Sequence, residues 1–159
     1  MIGKLDFIND MKQYISNEFS QDDNFSNVKV EKAYKAENTL TPPEIDIYIG
    51  NDREDVTSNS YESENIAIMP IIFYCYCKAM IMNNDEEKTD AVDSTMALSE
   101  SLMRVMEKHK LASNNKNIIS ATRVNYVAPT KVRDDSVYVA IIRYEFKILN
   151  NYVKIYNNK

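Results

Sequence analysis

The sequence predicts an α+β domain whose sheet is largely antiparallel (mixed at most in part), with an N-terminal helix and one long central helix packed on it. Three observations carry this. Two segments, residues 3–19 and 90–109, repeat apolar side chains at three- and four-residue spacing. Several other segments alternate apolar and polar residues at every second position. The longer helix stands between two blocks of strands, with strand pairs on both sides that read as hairpins, and does not recur after each strand as in a βαβ array. At 159 residues the chain makes one domain, 1–159.

Leu5, Ile8, Met11, Ile15 and Phe19 form the apolar stripe of the first helix, and the polar run 20–27 ends it. Val28, Val30, Tyr34 and Ala36 then alternate with Lys29, Glu31, Lys35 and Glu37, so residues 28–37 read as a half-buried strand. Residues 39–44 contain Pro42-Pro43 and read as a stiff turn, since neither proline can donate to a ladder. Ile45, Ile47 and Ile49 alternate with Glu44, Asp46 and Tyr48 in a second strand. The polar stretch 51–64 reads as an exposed loop or extended hairpin tip.

A long strand is expected over 66–80. Ala67, Met69, Ile71, Phe73, Cys75, Cys77 and Ala79 share one face, and Ile66, Ile68, Ile72, Tyr74, Tyr76 and Lys78 the other. Pro70 inside it implies a bulge or an edge position. After an acidic loop at 83–88, Thr89 or Asp90 caps the central helix. Ala91, Val92, Met96, Leu98, Leu102, Met103, Val105 and Met106 fall on its apolar half. Acidic residues lead this helix and Lys108, His109 and Lys110 close it, as its macrodipole prefers.

A strand at 118–127 and another at 137–149 are expected to pair through a loop at 128–136. Pro129 lies at one side of that loop, with Arg133, Asp134 and Asp135 at its tip. Tyr138, Ala140, Ile142, Tyr144, Phe146 and Ile148 line the apolar face of the last long strand, and 152–156 could add a short final one. The opposite sheet face still carries Ile68, Ile72, Tyr74, Tyr76, Val137, Val139 and Ile141. A solvated face should not hold so much apolar and aromatic surface. Either the first helix covers it or another subunit does.

Composition narrows the chemistry. Gly3 and Gly50 are the only glycines, too few for a Rossmann fingerprint or a P-loop. One His and two Cys argue against a zinc site of the usual N/S type, and no cofactor is expected. A net charge of −5 offers no general attraction for nucleic acid or an anionic membrane. Residues 1–10 lack the apolar core of a secretory signal. The apolar run 66–77 contains a proline and is shorter than the ~20 residues a membrane span needs.

A reducing cytoplasm is therefore expected, with Cys75 and Cys77 as free thiols that serve as small buried hydrophobes. The acidic runs read as solvated faces, no carboxylate pair stands out from them, and no serine sits in a nucleophile elbow. The chain is expected not to be an enzyme.

The element order and the segment RVNYVAPTKVRDDSVYVAIIRYEF resemble the tail terminator, or tail-completion, proteins of tailed phages and phage-tail-like bacteriocins. The resemblance implies a structural subunit that forms a homo-hexameric ring, caps the tail tube and stops its polymerisation. It implies as partners copies of the chain itself, tail tube and sheath proteins, and a head connector or collar. No membrane and no specific nucleic-acid binding are expected, though DNA could pass through the ring. Such a protein is assembled in the bacterial cytoplasm and resides in the virion or bacteriocin particle. The competing expectation is another head–tail connector subunit or a tail assembly chaperone, again a non-catalytic binding module.

A ring uses contacts that close by rotation and draws on apolar surface and complementary charge. Contacts between copies are expected at Asp52, Arg53, Glu54, Asp55, Asp85 and Glu86 in the acidic loops. They are expected also at Lys131, Arg133, Asp134, Asp135 and Arg143 of the closing hairpin, and at Tyr74 and Tyr76 on the second sheet face.

Overall fold

The long apolar run forms the middle of a sheet. The computed structural model describes residues 4–32, 40–50, 53–54, 66–83, 86–108, 118–134 and 136–149. In chain order these form α1 (Lys4–Phe19), β1 (Lys29–Lys32), β2 (Glu44–Ile49), β3 (Arg53–Glu54) and β4 (Ile66–Cys77). Then come β5 (Met80–Ile81), β6 (Lys88–Thr89), α2 (Ala91–Glu107), β7 (Ile118–Arg133) and β8 (Val137–Leu149). The main sheet runs β1-β2-β4-β8-β7, with β3 also on β4, and β5 and β6 pair by themselves. Every pair except β1–β2 is antiparallel. The fold is α+β with a mostly antiparallel sheet.

Both helices pack on one face. Phe7, Ile8, Met11, Ile15 and Phe19 of α1 are buried, and Phe7 meets Phe146 edge-on with centroids 5.4 Å apart. Beneath the helices lie Ile45 and Ile47, the β4 series Met69 to Cys77, and the β8 series Ala140 to Ile148. Strand alternation puts these side chains on one side. The helices are joined by the Tyr14 hydroxyl, which donates to Val105 O at 3.0 Å, and by Lys108 Nζ, 3.4 Å from Glu18. The Cys75 and Cys77 side chains are sealed here, free and fully buried, and burial pushes both thiols up, Cys77 to about 11. That suits small hydrophobes rather than reactive thiols.

α2 buries Ala91, Leu98, Leu102, Val105 and Met106 of the expected stripe, but the buried face is turned toward the serines at its edge. Val92 and Met96 are exposed, while Ser94, Thr95, Ser99 and Ser101 face inward beside Leu98, Leu102, Val105 and Met106. The buried hydroxyls find backbone acceptors: Thr95 donates to Ala91 O at 2.7 Å and Ser99 to Met96 O at 2.7 Å. Small satisfied side chains let the helix sit close to the strands at little polar cost. Asp90 is the cap, its Oδ1 accepting from Asp93 N at 2.8 Å, while Thr89 belongs to β6.

Four boundaries also differ from the sequence reading. β1 and β2 are parallel, Lys29 lying beside Glu44 and Lys32 beside Ile47, so they do not form the expected hairpin, and 33–37 of the expected first strand lie outside the described residues. A parallel pair needs a connection of roughly a dozen residues, and the sequence between Lys32 and Glu44 is long enough for one. Arg53 and Glu54, expected in a loop, pair with Ile68 and Ala67. β4 stops at Cys77, leaving Ala79 exposed and Met80–Ile81 in the small sheet. β7 runs on to Arg133 through the expected loop, with register shifts, one of them at Val127/Thr130 around Pro129. Proline is tolerated there because β7 is an edge strand at an irregularity.

Pro70 takes neither expected form. It pairs with Glu145 inside β4, where β2 has ended and β3 has not begun, so its missing N–H faces a gap in the ladder. Gly50 N donates to Pro70 O at 2.9 Å across this gap, and a Cβ on Gly50 would stand 3.2 Å from Pro70 Cβ.

Candidate functional site

The second sheet face answers the question of cover. Phe7 packs on Phe146 and α2 lies along β4, β8 and β7 on the core side, so neither helix covers the other side. Strand register arranges that side in rows. One row runs Glu31, Asp46, Tyr74, Ile141, Val127 from β1 to β7. Its neighbours run Lys29, Glu44, Tyr76, Val139, Thr130 and Tyr48, Ile72, Arg143, Asn125. Tyr48 is 45% exposed and Val127 40%, while Ile72, Tyr74, Tyr76 and Ile141 are half-buried; Ile68, Val137 and Val139, expected on the open face, are buried within the one chain. Acid lies at one side, aromatic rings at the centre, and aliphatic side chains with an arginine at the other.

The acidic side is unusual. Glu44 is 0% exposed, and its Oε1 accepts from Thr41 N at 3.1 Å and Thr41 Oγ1 at 3.2 Å, with Lys29 Nζ at 3.8 Å. Glu44 Oε2 and Asp46 Oδ1 are buried without a partner among the described residues. Burial pushes the Asp46 carboxyl up to about 8, aided by a hydrogen bond with Glu44 and by the charges of Glu44 and Glu31, with Lys29 opposing. Two ionised carboxylates have no donor to offer one another. A proton kept on Asp46 supplies that donor toward Glu44.

Beside the pair, the rings of Tyr74 and Tyr76 stack with centroids 6.4 Å apart and planes 25° from parallel. The Tyr76 phenol is pushed up to about 12, first by burial and then by the charge of Asp46. Tyr144 OH is a third orphaned group, but it lies on the sealed face, its phenol raised to about 12 by burial.

The structure brings Tyr74, Tyr76 and Arg143 onto this one face. Arg143 is exposed and makes no hydrogen bond or ion pair among the described residues. The other expected contact residues lie elsewhere or are engaged. Arg133 donates to Leu40 O at 3.3 Å within its own chain, which draws the approach to β2 over to the far edge strand. Lys131 is exposed opposite Tyr138, a strand residue and not a loop one. Asp134 is exposed in the β7–β8 turn and Glu86 just before β6. Arg53 and Glu54 form β3; Asp52, Asp55, Asp85 and Asp135, together with 152–156, lie outside the described residues.

In the sequence alone Glu44 and Asp46 read only as the polar side of a strand. The spacing i, i+2 in Glu44-Ile45-Asp46-Ile47 places both carboxyls on one face, and that was the available signal. Their burial depends on Thr41 and on strands β1 and β4, which spacing cannot show.

No group of three or more metal-ligating side chains occurs among the described residues. An open polar hollow of about 490 Å³, lined by Asp23, Asn24, Ile81 and Asn83, lies apart from the pair. Its two asparagines bind each other, Asn83 N donating to Asn24 Oδ1 at 2.8 Å. No helix of the described residues is long and apolar enough to cross a membrane. No protein-family model matches the chain, and no curated protein matches it.

Proposed function

We propose that this chain is a non-catalytic structural subunit that associates with copies of itself, acting as a tail terminator of a phage tail or phage-tail-like bacteriocin particle. In this reading six copies form a ring that caps the tail tube and presents a surface to a head connector or collar. The observation that carries it is the one-sided sheet: both helices sit on one face, and Tyr48, Ile72, Tyr74 and Ile141 remain partly open on the other. Apolar and aromatic surface of this kind, mixed with charge, suits contact between proteins. The element order and the closing hairpin supply the resemblance that narrows the assembly to a tail terminator.

Light scattering and negative-stain imaging of the purified chain test it. The expected result is a mass several times 18.4 kDa and closed rings in the images. A solitary 18.4 kDa species at every concentration and pH would overturn it.

A further inference from the structure

The open face contains an acceptor and a donor that do not meet within one molecule. The acceptor is the Asp46 carboxyl, half-buried at the surface, with the fully buried Glu44 behind it. The donor is Arg143, exposed on β8 with no ion pair among the described residues. On the register they are two strands and one row apart: Asp46 pairs with Tyr74, Arg143 with Ile72. That separation, roughly 10 Å across strands and 7 Å along them, holds them apart in one copy.

We propose that the Glu44–Asp46 pair is a receptor for a guanidinium group, and that the group it takes is Arg143 of a second copy packed face to face. The inference rests on the self-association reading above and names the contact and its control. A two-fold axis running along β4 between two such faces lays the second copy's β8 over β2 of the first, so each contact is made twice. Stacked sheets stand about 10 Å apart, a gap that an arginine and an aspartate span across one row. An axis across the strands would instead set β2 over β2 and carboxylate against carboxylate. Charge therefore selects the first arrangement.

Local chemistry fits a guanidinium. Its fork matches carboxylate oxygens, and its plane stacks on aromatic rings such as Tyr74 and Tyr76 at the edge of the pair. Apolar Ile72 and Ile141, both half-buried, supply area around it.

The contact is sensitive to pH because Asp46 holds a proton that a guanidinium displaces. The groups that face Asp46 are Glu44 on its own strand, Lys29 and Glu31 on β1, and Tyr74 and Tyr76 on β4. Lys12 of α1 stands 3.8 Å from Glu31 and so acts at one remove. Binding releases the proton, so association tightens as pH rises toward and past the raised titration of Asp46.

Sedimentation velocity on the full chain between pH 6 and 9 tests this. Wild type should associate roughly tenfold or more tightly at pH 9 than at pH 6. Arg143→Gln, an exposed change that leaves the monomer folded, should weaken association roughly tenfold at pH 9 and flatten the pH profile. Asp46→Asn should do the same, and the double variant should be no weaker than either single one. A multimer whose affinity ignores pH and both substitutions overturns this contact while leaving self-association intact. A monomer under all conditions overturns both.

Discussion

The two faces of the sheet come from the same strands by the same alternation, yet they end in opposite environments. Phe73 is fully buried under the helices, while its neighbour Tyr74 turns to the other side and stays half-open. On the sealed side the three middle strands β2, β4 and β8 present chiefly apolar side chains, which two amphipathic helices can close. On the open side β2 presents Glu44 and Asp46, β4 tyrosines, and β8 Arg143, so no single helix stripe could match it. A helix covers a uniform apolar face well; a face graded from acid through aromatic to cation is better matched by a surface carrying the opposite gradient. The same face turned through two-fold symmetry is such a surface.

The largest expected effect breaks the comparison at adjacent residues. Phe73→Ala leaves a cavity against Tyr144, whose ring lies 5.9 Å from it edge-on, and should cost about 3–5 kcal/mol in chemical denaturation. Tyr74→Ala on the open face should cost the monomer about 1 kcal/mol or less, its loss appearing in association instead. Equal destabilisation by the two would mean that the open face is sealed within one molecule.

The next effect is electrostatic. The Asp46 carboxyl, raised to about 8 in the fold, titrates near 4 in the unfolded chain. Between those values the folded state keeps a proton that the unfolded chain has given up. Its contribution is therefore neutral below about pH 4, and stability falls as pH rises through about 8. Asp46→Asn should remove that slope and raise stability at pH 9 by about 1–2 kcal/mol, discounted because Asp46 is partly solvated. Thermal melts of both proteins across pH 5–9 read it directly. A wild-type melting temperature that rises with pH across this range would exclude a proton kept on Asp46.

The smallest effect concerns the lid on the sealed side. Asp90→Ala removes the cap of α2 and should cost about 1 kcal/mol, with melting temperature lowered and association unchanged. Reduced association in this variant at matched stability would couple the helix layer to the open face.

Much of this was legible in the residues, unevenly. The α1 stripe and the β4 and β8 alternations follow from spacing alone, because 3.6- and 2-residue periods assign side chains to faces before any packing occurs. α2 shows the limit: spacing favoured Val92 and Met96, but the buried stripe contains Ser94, Thr95 and Ser99, whose hydroxyls bond backbone carbonyls. Hydrophobicity cannot rank a satisfied serine above a methionine; a close approach of helix to sheet does. β1 and β2 show another limit, since Pro42-Pro43 marks a stiff segment without saying whether the chain reverses or returns.

By itself the sequence determined the α+β class, the middle strand, the inward cysteines and the presence of a second apolar face, because each depends on local period and composition. Tertiary structure alone decided that both helices share one side, that β1 runs parallel to β2, and that Glu44 and Asp46 share a buried corner. Those features depend on distant segments meeting. Burial of a carboxylate is set by its neighbours in space, and the chain order of those neighbours does not encode the distance between them.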